Sequence, residues 1–185
     1  MTVGGLDLAA YDNRCSGFAV INDLGIVEEL TCLYSDNVIL DNIRRFSVEV
    51  LAIDAPIIEY PRFREVDREA IKKGFRVFPP TFGYMKVLTT RAWRLFKEIT
   101  SMNVTVIETH PRSALKNSGF SEILDLCKVL GVSLEIHLFK INRKDLRDAL
   151  ISAIVALCYR RSTCIDAIKA SDGIIYLISK LKNIR

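Results

Sequence analysis

The sequence predicts an α/β fold: a mixed sheet that opens with an antiparallel meander of three strands and continues with strands alternating with flanking helices. Three observations carry this expectation. Residues 3–9, 16–22 and 26–33 are short β-rich runs separated by the polar turns Asp12-Asn13-Arg14 and Asp23-Leu24-Gly25. Two later runs, VLAID at 50–54 and VTVIE at 104–108, have the composition of buried strands. Apolar residues recur at helical spacing before, between and after those runs.

After the meander, Val38, Ile39, Ile43 and Phe46 recur at roughly helical spacing, and Asp36 is the expected N-cap. The buried strand 50–54 ends at Ala55-Pro56. Residues 57–84 break the alternation: Pro61, Pro79 and Pro80 bracket a short charged helix near 65–73, closed by Gly74. A longer helix at about 85–101 follows, in which Leu88, Ala92, Leu95, Phe96 and Ile99 form one apolar stripe that should lie on the sheet. Beyond strand 104–108, helices are expected at about 121–130, stopped by Gly131, and at 143–160, with the short strand LEIHLF between them. IIYLIS, after the turn signal Ser171-Asp172-Gly173, reads as a last strand. No repeat or linker divides the chain, so residues 1–185 are expected to form one domain with an elaboration at 57–84.

With 185 residues, half of them hydrophobic, the chain has enough apolar surface for a substantial core. Its net charge of +4 is compatible with a polyanionic partner and specific to none. The five cysteines contain no CxxC pair, which speaks against a zinc site or a secreted disulfide framework and suggests buried thiols in a reducing cytoplasm. No apolar run approaches the ~20 residues of a membrane helix, so no membrane association is expected.

The chemistry is carried by acids in unusual places. Asp7 lies within VGGLDLAA, Asp54 ends VLAID, Glu108 ends VTVIE, and Asp148 opens the apolar run of the last long helix. An ionised carboxylate in the interior costs several kcal/mol unless a cation compensates it, so acids at successive strand ends suggest a metal site. Asp7 should share a strand face with Gly5 and Ala9, whose small side chains leave room around it. Asp54 could instead bond a turn. Glu108 could pair with Arg112, and His110 could be a ligand, a general base or a hydrogen-bonded structural group. Asp145 shares a helix face with Asp148 and could be a cap, since Asn142 and Asp145 have the spacing of a capping pair. Oxygen donors without a His/Cys cluster favour Mg²⁺ or Mn²⁺ over zinc, and two such ions serve phosphodiester hydrolysis by a metal-activated water.

The motifs GLDLA, AIDAP, RxRxxDREA, GFRVFPPTFGYM, LTTRAWRL, VIETHPRSALK and DLRDAL, spread over residues 4–157, resemble an uncharacterised family of predicted nucleases. The order of elements and acids also resembles the RNase H-like fold of RuvC-type resolvases. The resemblance implies an RNase H-like mixed sheet in which Asp7, Asp54 and Asp148 form a metal-binding and catalytic core, with Glu108 and Asp145 as additions. In the segment between the second and third acids, Arg62, Arg64 and further basic residues alternate with Phe63, Phe75, Phe78 and Phe82, a composition suited to holding phosphates and stacking bases. Arg62 and Arg64 are expected at the nucleic acid; Arg91, His110 and Arg112 are expected in the pocket.

The function expected is that of a divalent-metal-dependent nuclease with nucleic acid as partner. The alternatives are a non-catalytic nucleic-acid-binding module of the same fold and an ATPase or kinase-like phosphotransferase. The last is disfavoured because Leu8, Ala9 and Ala10 follow Asp7 where a Gly/Thr phosphate loop would be needed.

Overall fold

A computed structural model describes residues 2–181. Seven strands form one mixed sheet in the order β3-β2-β1-β4-β5-β7-β6. The meander is β1 (Thr2–Asp7), β2 (Ser16–Asn22) and β3 (Val27–Leu33); β4 (Val48–Ile53) and β5 (Thr105–Thr109) continue the sheet in parallel with β1. The hairpin of β6 (Ile165–Ala170) and β7 (Gly173–Ile178) completes it, β7 running parallel to β5. The expected strand at IIYLIS is therefore present as β7, and the chain around 160–178 supplies the far edge of the sheet.

The helices are α1 (Asp36–Arg45), α2 (Glu65–Lys72), α3 (Gly83–Thr100), α4 (Pro111–Ser118), α5 (Ile123–Leu130) and α6 (Lys144–Arg161). Alternation along the strands divides the core in two. Leu6, Phe18, Val20, Leu51 and Ile53 pack with α1 and α3. Val3, Ala19, Ile21, Val50, Ala52 and Ile107 pack on the other face with α6. From Asp148 to Cys158 every residue of α6 is buried, as expected of a helix that is apolar nearly all round and enclosed on all sides.

Two glycines let α6 approach the meander at backbone distance. A Cβ on Gly5 would lie 2.1 Å from the carbonyl oxygen of Ala149 and from the amide nitrogen of Ala153. On Gly17 it would lie 2.1 Å from the carbonyl oxygen of Asp145. Gly17 is also the residue paired with Asp7 across the antiparallel ladder. The start of α6 is thus pressed against the end of β1.

Four local expectations are corrected. Ser35, rather than Asp36, caps α1, its hydroxyl accepting from the N–H of Val38 at 3.4 Å. LEIHLF is not a strand: the chain bonds to Gly25 and Val27 through Ser133, then winds into a 3-10 segment at Glu135–Asn142. That segment leaves Phe139 exposed, so its alternating pattern does not reflect a half-buried strand. Arg143, rather than Asn142, occupies the N-cap position of α6, and Asp145 ion-pairs with Arg143 at 3.1 Å. The cysteines are not all free thiols, because Cys15–Cys32 and Cys158–Cys164 are disulfides. Their pairing follows from topology: Gly17 faces Cys32 across β2 and β3, which carries Cys15 alongside. Cys127 remains a free buried thiol, its pKa pushed up to about 12 by burial.

Candidate active site

The parallel strands β1, β4 and β5 end at the same edge of the sheet, and the acids stand there. The N–H of Asp54 donates to the carbonyl of Leu6 at 2.8 Å, so Asp54 is locked beside Asp7. Alternation carries both toward the α6 face, Asp7 in step with Val3 and Gly5, and Asp54 in step with Val50 and Ala52. Asp148 arrives from the first turns of α6, directed inward by the close contacts at Gly5 and Gly17. All three carboxylates open into one cleft of about 810 Å³, shared with Glu108, His110 and Arg112.

Electrostatics register the convergence. Burial, followed by the charge of Asp148, raises the pKa of Asp7 to about 7, with Lys144 opposing. Asp54 is raised well above the carboxylate range by burial first, then by Asp7 and Asp148. Both acids thus hold their protons more tightly than an ordinary carboxylate does.

Glu108 reaches the same edge in a different condition. Its Oε1 accepts from Arg64 Nη2 at 2.5 Å, and its Oε2 accepts from Arg64 Nη1 at 2.6 Å and from the Ile57 N–H at 2.8 Å. Burial pushes its proton affinity up, but a bidentate guanidinium at these distances requires a carboxylate as acceptor, and we take Glu108 as ionised. Its ion-pair partner is Arg64, not Arg112.

Two predicted substrate-binding arginines are corrected. Arg64 is only 1% exposed, because its side chain also bonds both oxygens of Asp67; it is a buried tie between α2 and β5 rather than a surface phosphate contact. Arg91 is buried as well: Nε donates to Asp36 at 2.8 Å, Nη1 to the Ala9 carbonyl at 2.7 Å and Nη2 to the Tyr34 carbonyl at 3.0 Å. It fastens α3 to the ends of β1 and β3 behind the cleft. Arg62 is exposed but does not line the cleft, and neither does Asp145.

His110 does line it. Its Nδ1 lies 2.5 Å from the Ser113 hydroxyl, and burial lowers its pKa despite the pull of Asp148. An imidazole so placed is neutral near pH 7. Further residues complete the wall: Arg76 and the largely exposed ring of Phe78 come from the basic and aromatic segment noted in the sequence, while Lys144, Arg147 and the exposed ring of Tyr84 were not singled out there. Lys144 and Arg147 flank Asp148 on its helix, so the signal for them lay in KDLRDAL, read there for its acids alone.

The donor chemistry, oxygen atoms of crowded acids with raised proton affinity, fits a hard divalent ion. Among the described residues, however, no group of three or more His, Cys, Asp or Glu side chains is already gathered as a metal cage. Two cations on the same helix already face this edge: Lys144 Nζ lies 3.0 Å from Asp148 Oδ2 and acts electrostatically on Asp7 and Asp54, and Arg147 Nε lies 4.0 Å from Asp148 Oδ1.

Comparison with known proteins bears on the fold. No family model and no curated protein matches the chain. Among solved structures it is similar to T. thermophilus RuvC in complex with a Holliday junction substrate, with a TM-score of 0.57 and 16% identity over 88% of this chain and 98% of that one. It is likewise similar to a Thermus thermophilus RuvC structure, at 0.56 and 15% over the same shares. The chain thus has an RNase H-like fold, shared with RuvC, with three acids at the edge where its parallel strands end.

Proposed function

We propose that this protein is a divalent-metal-dependent nuclease belonging to the predicted-nuclease family that its motifs resemble. The observation that carries the reading is the meeting of Asp7, Asp54 and Asp148, from three separate elements, in one cleft where burial and the charge of Asp148 raise the proton affinity of Asp7 and Asp54. Such an arrangement destabilises the isolated protein and becomes favourable when a cation is bound. Asp7, Asp54 and Asp148 would hold Mg²⁺ or Mn²⁺, which supplies Lewis acidity for phosphodiester hydrolysis when bound. Around them, Arg76, Arg112 and Arg147 are placed to hold phosphates, and Phe78 and Tyr84 offer faces to bases. The neutral ring of His110 can accept a proton from water at the cleft wall. The RuvC bound to a Holliday junction supports nucleic acid as the partner class.

The phosphotransferase reading finds no phosphate loop. After Asp7, the Ala9 N–H is taken by the Ser16 hydroxyl at 3.1 Å and the Ala9 carbonyl by Arg91, so the turn is tied down.

The test is cleavage of single-stranded, duplex, hybrid and branched substrates with Mg²⁺ and with Mn²⁺. Asp7→Asn and Asp148→Asn should each abolish cleavage while leaving binding within a few-fold, because substrate is gripped mainly by the basic wall. Absence of cleavage by the folded, metal-supplied protein would leave a binding module. ATP turnover requiring Asp7 would favour the phosphotransferase.

A further inference from the structure

We infer that the cleft takes an unpaired nucleic-acid strand with its bases turned out, and that it excludes a continuous duplex. The inference rests on the nucleic-acid part of the reading above and names its substrate class; it does not depend on how the carboxylates hold a metal.

Depth is the first observation. The acids are recessed: the side chain of Asp148 is 13% exposed and Glu108 is buried. The cations of the cleft are exposed, Arg76 on the inserted segment, Arg112 at the start of α4, and Lys144 and Arg147 on α6. Lys144 and Arg147 face Asp148, whereas Arg76 and Arg112 make no ion pair among the described residues and are open to an outside anion. A phosphodiester must pass these cations to reach the acids. A duplex carries its phosphates on a stiff convex surface, which meets the cations and stops there. A single strand bends freely enough to lead its backbone between them.

The aromatic rings point the same way. Phe78 and Tyr84 line the cleft and are 61% and 49% exposed. Neither packs on another ring or under a cation among the described residues. Bases inside a duplex are covered by their neighbours in the stack and offer such rings nothing, while an unpaired base presents its whole face. Cations that follow the backbone and rings that stack on bases are together the means of holding a single strand.

The wall that carries Arg76 and Phe78 is also fixed, so it does not swing aside for a wider ligand. Arg64 is bound to Glu108, and Asp172 holds the N–H groups of Glu65 and Val66. Just before Arg76, Lys116 Nζ donates to the Gly74 carbonyl at 3.1 Å and lies 5.7 Å from the ring centre of Phe75, which is itself buried. The cleft is therefore preformed at about 810 Å³, the size of an enclosed ligand site.

The experiment is fluorescence anisotropy of the intact chain at one fixed low salt concentration, in chelator and again in Ca²⁺, so that it stands whether or not the acids hold an ion. The probes are an unstructured single strand of about 16 nucleotides, the upper end of a single-strand site, and the blunt duplex of the same sequence, with a mononucleotide as unlabelled competitor. The single strand should bind at least about 10-fold more tightly than the duplex. Phe78→Ala and Tyr84→Ala, both at exposed positions, should each weaken single-strand binding by about 10-fold, the loss of one base–aromatic stack. Arg112→Ala should weaken it and flatten its salt dependence. A duplex bound as tightly as the single strand, or single-strand affinity unchanged in both aromatic variants, would overturn the inference and spare the nucleic-acid reading. A mononucleotide that competes as well as the strand would overturn it in favour of a small phosphorylated ligand. No binding of either form, in chelator or in Ca²⁺, would remove the nucleic-acid reading and this inference with it.

Discussion

Replacing Asp7 by Asn should make the metal-free protein more stable, and by an amount that depends on pH. Asp7 has a folded-state pKa of about 7 against 3.8 for the free group, a rise caused by burial and then by Asp148. Between those values the folded chain binds a proton that the unfolded chain has lost, so stability falls as pH rises. The relative stabilisation is fully present below about pH 4 and gone above about pH 7. Three units at about 1.4 kcal/mol each set a ceiling of about 4 kcal/mol. Asp7 shares its repulsion with Asp54 and Asp148, so part of the strain persists in the variant, and about 2 kcal/mol is the expected gain at pH 8.

The assay is urea denaturation in chelator at pH 5 and pH 8. At pH 5 Asp7 is protonated in the folded protein but already ionised in the unfolded chain, so only about a third of the pH-dependent difference is expressed and the Asp7→Asn midpoint should be only modestly higher. At pH 8 the Asp7→Asn midpoint should be higher. Adding Mg²⁺ at pH 8 should reverse the order, because the native protein gains the ion's binding energy and the variant loses a ligand. Equal stabilities at both pH values would show that these carboxylates do not share a field, and the site would lose its physical basis.

Three further perturbations separate roles that the sequence leaves merged. Arg64→Met should destabilise the fold by about 3–5 kcal/mol in thermal or chemical denaturation, since it strands Asp67 and Glu108 without their cation, whereas Arg62→Ala should leave stability unchanged. Gly5→Ala should cost at least the 1–3 kcal/mol typical of overpacking and weaken Mn²⁺ binding in calorimetry, because the added methyl meets the backbone of α6 and must displace the helix that carries Asp148. Cys15→Ser should lower stability by about 3 kcal/mol under oxidising conditions and have little effect in reductant, given a sequence separation of 17 residues in the loop it opens.

The acids were legible in the sequence because burial of charge is a local anomaly: Asp7, Asp54 and Asp148 each interrupt an apolar run, and the structure brings all three into one cleft. Arg64 and Arg91 were misread for the complementary reason. A basic residue in a charged segment looks solvated until its partners are known, and theirs lie far along the chain, Glu108 44 positions from Arg64 and Asp36 55 positions from Arg91. Cysteine spacing likewise described neighbours in sequence, while the disulfides were set by strand register and by the turn after α6. The hairpin of β6 and β7 was half legible: its turn and second strand could be read, but its work could not. Asp172, in that turn, accepts the N–H groups of Glu65 at 2.8 Å and Val66 at 3.1 Å, holding the start of α2 where Arg64 reaches Glu108.

These ties divide the acidic residues into two classes whose chemistry differs although their positions nearly coincide. Glu108 and Asp67 enclose Arg64 and are neutralised by the fold itself, so they fasten the inserted segment to the sheet and add little charge to the cleft. Asp7, Asp54 and Asp148 have no such partner in the interior, and the cation nearest them, Lys144, approaches from the solvent side on a flexible stem. A fold that neutralises one acid completely and leaves three others in mutual repulsion a few residues away has concentrated its uncompensated charge at a single edge. That edge is also where β1, β4 and β5 end and where Gly5 and Gly17 admit α6, so the same close packing that builds the core holds the repelling carboxylates together. On the proposed function, the stability given up there by the isolated chain would be recovered on cation binding, which would couple the folding energy of the sheet to the occupancy of the cleft.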